Sequence, residues 1–202
     1  MTNAQEQEHN KKEIIITGFG GQGIVLAGFV LGKAAAIGDR KESTLIQSYG
    51  PESRGGSCSA QVVICDQIIN YPYVTIPDIL VCMSQSGYDK MVGNLKKQGI
   101  LIIDQDLVRP NREIEGDFFS IPATRMAEEL GRKMMANIIM LGFFTAVTEV
   151  VSMEAAQKSV EESVPKGTEA LNIKAFTKGS DYGLATLKGR RKKAAGRTGA
   201  MA

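Results

Sequence analysis

The stretch "TGFGGQGIVLAG", residues 17–28, decides how the chain is read, because it sets five glycines (18, 20, 21, 23 and 28) directly behind the apolar run Ile14–Ile16. A strand over Glu13–Thr17 entering this loop, and a helix over Gln22–Ile37 leaving it with Gly38 as its stop, make the opening of an α/β unit. Gly18, Gly20 and Gly23 satisfy a GxGxxG spacing, where exposed amides at a helix N-terminus can meet a phosphate. The same residues also make a tight strand-to-helix turn with no ligand at all. A nicotinamide or flavin site of this kind carries an acid at the end of the second strand to hold the ribose, and here that position reads "LIQS". Asp39 precedes that strand and Glu52 lies beyond it. The choice is left between a plain turn and a site for another phosphate-bearing ligand.

Outward from this loop, "STLIQS" (Ser43–Ser48) reads as the second strand, and "YGPESRGGS" as an irregular loop. "CSAQVVIC" and "IINYP", separated by Asp66 and Gln67, have the spacing of an antiparallel hairpin. "DILVCMS" (Asp78–Ser84) and "GILIID" (Gly99–Asp104) are continuous apolar runs expected of strands covered on both faces, with a crossover helix over Tyr88–Lys97 between them. "GDFFSIPA" reads as a last strand, and Thr124–Leu187 as helical with breaks at Gly131 and Pro165. The expected fold is a three-layer α/β/α domain with a mostly parallel sheet, an antiparallel hairpin and a helical C-terminal half. Its organisation is a polar N-terminal extension (1–12), one domain (13–187) and a basic tail (188–202).

A chain of 202 residues with 43% hydrophobic content suffices for one domain and a substantial core. Lys188–Ala202 carries six of the basic residues and no acid; without it 18 basic residues face 22 acidic ones, a body of about −4. A nucleic-acid role would therefore rest on the tail alone, and the reading is of no nucleic-acid partner. The tail's Lys, Arg, Ala and Gly predict a solvated, disordered extension, with a partner-binding or RNA-binding arm as the alternative. Cys58, Cys65 and Cys82 are too few and too scattered for an iron–sulfur or closed zinc site and read as small buried residues, so no metal is expected. "MTNAQEQEHN" lacks the features of a signal peptide, which places the protein in a reducing cytoplasm. "MMANIIMLGFFTAVTEVV" (Met134–Val151) is long enough to suggest a membrane span, but Asn137, Thr145, Thr148 and Glu149 interrupt it. It reads instead as a helix buried in the core or in a subunit interface, with "RKMMANIIMLGFF" a candidate contact.

"QSYGPESRGGS" (Gln47–Ser57) has more polar groups and backbone freedom than a connection needs. Arg54 can form a bidentate contact with a phosphate or carboxylate, while Gly55 and Gly56 let amides approach the same anion. The alternative is that Arg54 pairs with Glu52 or a neighbouring subunit and only shapes the loop. Following the second strand, this segment should lie beside the glycine loop at the carboxyl ends of the parallel strands. There is no histidine placed as a general base, no nucleophile elbow and no paired thiols, so no residue of this chain is assigned as catalytic.

"TGFGGQGIVLAG", "QSYGPESRGG", "NYPYVTIPDILVCMSQSGYDK" and "GILIID", in this order and spacing over roughly Glu13–Tyr182, resemble the gamma subunit of the 2-oxoacid:ferredoxin (acceptor) oxidoreductases. "QSYGPESRGG" followed by "YPYVTIPDI" looks most like the 2-oxoglutarate, KorC-type branch. The resemblance implies that residues 13–187 form the pyruvate/ketoacid ferredoxin oxidoreductase gamma-type domain. Alpha and beta subunits would hold thiamine diphosphate and magnesium, iron–sulfur clusters would sit in partner chains such as a delta ferredoxin-like subunit, and ferredoxin would accept electrons. Coenzyme A would be the co-substrate. Gly18, Gly20, Gly21, Gln22, Gly23, Ser48, Tyr49, Gly50, Pro51, Arg54, Gly55 and Gly56 are then expected to line a crevice for coenzyme A or for partner subunits. Gamma-type subunits of pyruvate or branched-chain enzymes, the beta subunit of indolepyruvate oxidoreductase, and a stand-alone nucleotide-binding protein are the competing readings. The first two families share the domain; the last is disfavoured by the missing ribose acid.

Overall fold

The structure, a computed structural model, describes residues 11–50 and 56–199. Six strands form one sheet: β1 (Lys12–Phe19), β2 (Glu42–Tyr49), β3 (Ser57–Cys65), β4 (Ile79–Cys82), β5 (Ile100–Asp104) and β6 (Asp117–Ile121), in the order β2-β3-β1-β4-β5-β6. β1, β4, β5 and β6 are mutually parallel, whereas β3 runs antiparallel to both β1 and β2. β2 therefore points the same way as β1 with β3 between them. The antiparallel hairpin expected of "CSAQVVIC" and "IINYP" is formed instead by β2 and β3, and residues 66–78 carry no strand. Strong alternation over 68–72 is lacking, and Val74 instead docks on the sheet with its N–H donated to the side chain of Gln61, 2.9 Å away.

One face of the sheet carries α1 (Ile24–Lys33, ending in a π-helical turn to Gly38), α4 (Ala136–Thr148), α5 (Met153–Ser163) and α6 (Glu169–Gly199), with α3 (Ala123–Glu129) against α4. The opposite face is covered by the short α2 (Gln85–Met91) and the 66–78 segment. The result is the expected α/β/α layering, with the larger core on the α1/α4 side, where Ile14, Ile16, Val62 and Val81 meet Val30, Leu31, Ile139 and Phe143. Helix α2 is capped by Ser84, whose Oγ accepts the Gly87 N–H, and so begins and ends earlier than the apolar pattern suggested.

The segment that raised the membrane question is α4, buried from Ala136 to Val147. Gly142 of α4 faces the Phe176 carbonyl of α6, and Gly179 of α6 faces the Ile139 carbonyl of α4, each so closely that a Cβ would have no room. Two helices thus pack backbone to backbone at the centre of the domain, and only Arg132, Lys133 and Met134 of the proposed contact segment are exposed. No helix among the described residues is long and apolar enough to cross a membrane. Beyond the breaks at Gly131 and Pro165, a third break falls at Glu149, whose φ of 52° ends α4. α6 extends into the basic segment as far as Gly199. Arg190 explains part of this: its guanidinium stacks 3.8 Å over the Phe119 ring and its Nη1 donates to Asp117 at 3.1 Å.

Candidate functional site

Both glycine-rich segments reach the same end of the sheet, because β1 and β2 are co-directional. Gly18 lies opposite Cys58 of β3, which in turn lies opposite Tyr49 of β2. The Gly20 N–H donates to the Gly56 carbonyl at 2.8 Å, joining the two segments directly, and the Gly50 N–H donates to the Ser57 carbonyl at 2.6 Å. Gly21 and Gly23 have φ of 92° and 72°, the left-handed region that turns the chain from strand into helix. Gln22 closes this turn from inside: its Oε1 accepts the Phe19 N–H at 2.6 Å and its Nε2 donates to the Met83 carbonyl at 3.0 Å. Its side chain is therefore committed to the protein.

Beside this turn opens a cleft of about 760 Å³, walled by Gly21, the first turn of α1, residues 132–138 and the start of α6 around Thr168. Ile24, Met135 and Ile138 make its floor apolar, Tyr49 stands at its lip with 65% of its surface exposed, and Arg132 and Lys133 sit on the rim. Lys133 is held by Glu128 at 2.8 Å. Asn137, only 2% exposed, donates from Nδ2 to the Gly23 carbonyl at 3.0 Å and so ties α4 to the cap of α1; its Oδ1 has no partner among the described residues.

Of the residues singled out in the sequence, Gly20, Gly21, Gly23 and Tyr49 line this cleft, and Gly18, Gln22 and Gly56 shape its edge. Ser48 and Gly50 line a separate, smaller depression on the other face of the sheet. Pro51, Arg54 and Gly55 lie outside the described residues. Asn137, Met135 and Thr168 were not legible as site residues, since they come from helices more than a hundred residues away from the glycine loop.

The titratable groups nearby serve the structure. Asp104, fully buried at the end of β5, accepts from the Thr124 N–H (2.9 Å) and Oγ1 (2.6 Å) and from the Asp106 N–H (3.0 Å). Burial raises its pKa, against those hydrogen bonds. Burial likewise pushes the Cys58 and Cys82 thiols up, Cys82 strongly, so both rest as neutral thiols. Cys58 and Cys65 stand at opposite ends of β3, roughly 23 Å apart at the rise of an extended strand, and cannot share a cluster. Among the described residues no three His, Cys, Asp or Glu side chains are gathered as metal ligands.

The sequence profile of the family described as pyruvate ferredoxin/flavodoxin oxidoreductase matches residues 13–182. The 2-oxoglutarate synthase subunit KorC of Methanocaldococcus jannaschii is 50% identical over 172 residues, covering 84% of this chain and 92% of that one. Among solved structures, the gamma subunit of a keto/oxoacid ferredoxin oxidoreductase from Geobacter sulfurreducens superimposes with a TM-score of 0.77 at 39% identity, over 86% of this chain and 99% of that one. The 2-oxoglutarate:ferredoxin oxidoreductase from Magnetococcus marinus, solved with 2-oxoglutarate, coenzyme A and succinyl-CoA bound, also has a TM-score of 0.77, over 88% of this chain and 32% of that one. At its 22% identity the likeness is one of fold.

Proposed function

This chain belongs to the pyruvate ferredoxin/flavodoxin oxidoreductase family, and on that premise we propose that it is the gamma subunit of a 2-oxoglutarate:ferredoxin oxidoreductase, with coenzyme A or a partner segment held in the cleft beside the glycine loop. The observation that carries the reading is the 50% identity to the KorC subunit over nearly the whole of both chains. The reaction is conversion of 2-oxoglutarate and coenzyme A to succinyl-CoA and carbon dioxide, with electrons passing to ferredoxin. Thiamine diphosphate, magnesium and iron–sulfur clusters are assigned to partner subunits; for the clusters this agrees with three buried cysteines of which Cys58 and Cys65 stand at opposite ends of β3. What the chain itself contributes is a wall: an apolar floor suited to the pantetheine arm, backbone amides at Gly21 and at the first turn of α1, and an exposed aromatic lip at Tyr49.

The test is anaerobic purification of the tagged chain from its host, followed by assay of coenzyme A-dependent ferredoxin reduction with 2-oxoglutarate, pyruvate and indolepyruvate. Partner chains carrying thiamine diphosphate and a preference for 2-oxoglutarate are expected. Isolation of the chain alone, or preference for another 2-oxoacid, would overturn the reading. Within the complex, Tyr49→Ala should raise the apparent KM for coenzyme A severalfold while thiamine diphosphate occupancy stays unchanged. Titration of the isolated chain with NADH should show no binding, since on one side β1 is flanked by the antiparallel β3 and the second strand ends in "LIQS" with no acid to hold a ribose.

A further inference from the structure

On the face of the sheet opposite the cleft, three hydroxyls stand in one transverse row. Thr17 of β1 is paired with Ser59 of β3, and Ser59 with Ser48 of β2, so all three project from the same face at the carboxyl end of β1 and β2. Ser57, two residues before Ser59 on β3, projects with them. Helix α2 is seated directly on this row, because Gly87 leaves no room for a Cβ against Thr17. From α2, Ser86 and Lys90, four residues apart and so on one side of the helix, complete a depression of about 160 Å³. Among the described residues no carboxylate lines it. Thr17 donates to the Cys58 carbonyl at a long 3.4 Å, while the hydroxyls of Ser48, Ser57, Ser59 and Ser86 and the ammonium of Lys90 have no side-chain partner among the described residues.

We propose that this depression is a binding site for a phosphate group, held by the hydroxyls of Ser48, Ser57, Ser59 and Ser86 and charge-compensated by Lys90, with Thr17 beneath them. Four serine hydroxyls supply orientable O–H donors, no described residue of the lining brings a competing negative charge, and a single ammonium makes the site selective for an anion over a neutral polyol. Tyr49 and Cys58 border both this depression and the large apolar cleft, so a ligand with an apolar arm and a phosphorylated end can reach across the strand ends into both. Only the identity of the phosphate's carrier rests on the coenzyme A reading of the cleft; the phosphate site itself does not.

The full chain, titrated separately with inorganic phosphate, adenosine 3',5'-bisphosphate and pantetheine while amide chemical shifts are followed, separates the possibilities. Both phosphates should move the amides of residues 57–59 and 86–90, and pantetheine should leave them in place. Lys90→Met should weaken the bisphosphate at least tenfold and Ser59→Ala at least threefold, with melting temperatures unchanged. A bisphosphate that binds tenfold more tightly than inorganic phosphate identifies a carried phosphate, and equal affinities a site for the free ion; both support the site. Absence of shifts, an affinity for Lys90→Met within twofold of the parent, or shifts confined to the basic end of α6 would overturn it. Intact coenzyme A that fails to displace phosphate from an otherwise responsive site would leave the site standing and remove the coenzyme A reading instead.

Discussion

Gly23 is where a single residue does most to shape the crevice: it caps α1 with φ of 72° and is crowded by the side chain of Asn137. Gly23→Ala would bring both the left-handed backbone cost of about 1–2 kcal/mol and displacement of Asn137 from the Gly23 carbonyl. A loss of about 2–4 kcal/mol is expected in urea unfolding, the upper part coming from the broken buried hydrogen bond. Gly21, with a similar φ but open space around the position of a Cβ, should show the backbone cost alone, and the difference between the two variants measures the Asn137 clamp. Asp104 gives a pH signature of definite sign. Its pKa is raised in the folded state, so the folded protein holds that proton more readily than the unfolded chain. Its contribution is full below the unfolded value of about 3.9 and is lost as pH rises through the folded one. Asp104→Asn should remove this fall from a plot of unfolding free energy against pH on the acid side of neutrality; an unchanged slope would show that another group causes it.

At the scale of elements, β1, β3, β4, β5 and β6 were legible from their short apolar runs, whereas β2 offers only Leu45 and Ile46 among polar residues. The hairpin was misassigned for a physical reason: two residues between apolar runs suggest a tight turn, whereas the real β2–β3 connection is longer and glycine-rich, and nothing local distinguishes which runs pair. Helix α4 was legible as buried but its partner was not, because the decisive feature is the mutual approach of Gly142 and Gly179, residues 37 positions apart whose fit shows only in three dimensions. Gly179→Leu should therefore prevent folding of the chain or cost more than about 3 kcal/mol by overpacking. An equally sized change at Gly189, which faces open space on the same helix, should cost nothing and can gain a few tenths through helix propensity. Comparison of the two by circular dichroism and urea unfolding separates the crossing from helix propensity. Composition registers the tail's polarity but not the stacking of Arg190 on Phe119, which holds the helix as it leaves the core.

For the molecule as a whole, the meeting of the two glycine-rich segments followed from strand direction alone, since each lies after a strand that points the same way. The walls around them did not, because Asn137 and Thr168 arrive from the helical half and the hydroxyl row exists only once β3 is inserted between β1 and β2. The same division fixes what the last part of the chain contributes. Leu187 is the final residue packed against the main core, and residues 188–194 are exposed apart from the Arg190 contacts. A cation–π contact at an exposed site is worth about 0.5–1 kcal/mol, and an exposed ion pair with Asp117 about 0–1 kcal/mol. A chain ending at Leu187 should accordingly unfold cooperatively with a melting temperature lower by no more than about 8 °C, while its net charge changes sign to about −4. It should also retain assembly with its partner subunits, because the family match ends at residue 182 and the glycine loop, cleft and hydroxyl row lie wholly before it. Loss of cooperative unfolding on truncation would show that the end of α6 is part of the core. Normal unfolding with loss of co-purification would instead locate a partner contact on the basic end of that helix, one of the roles its composition leaves open.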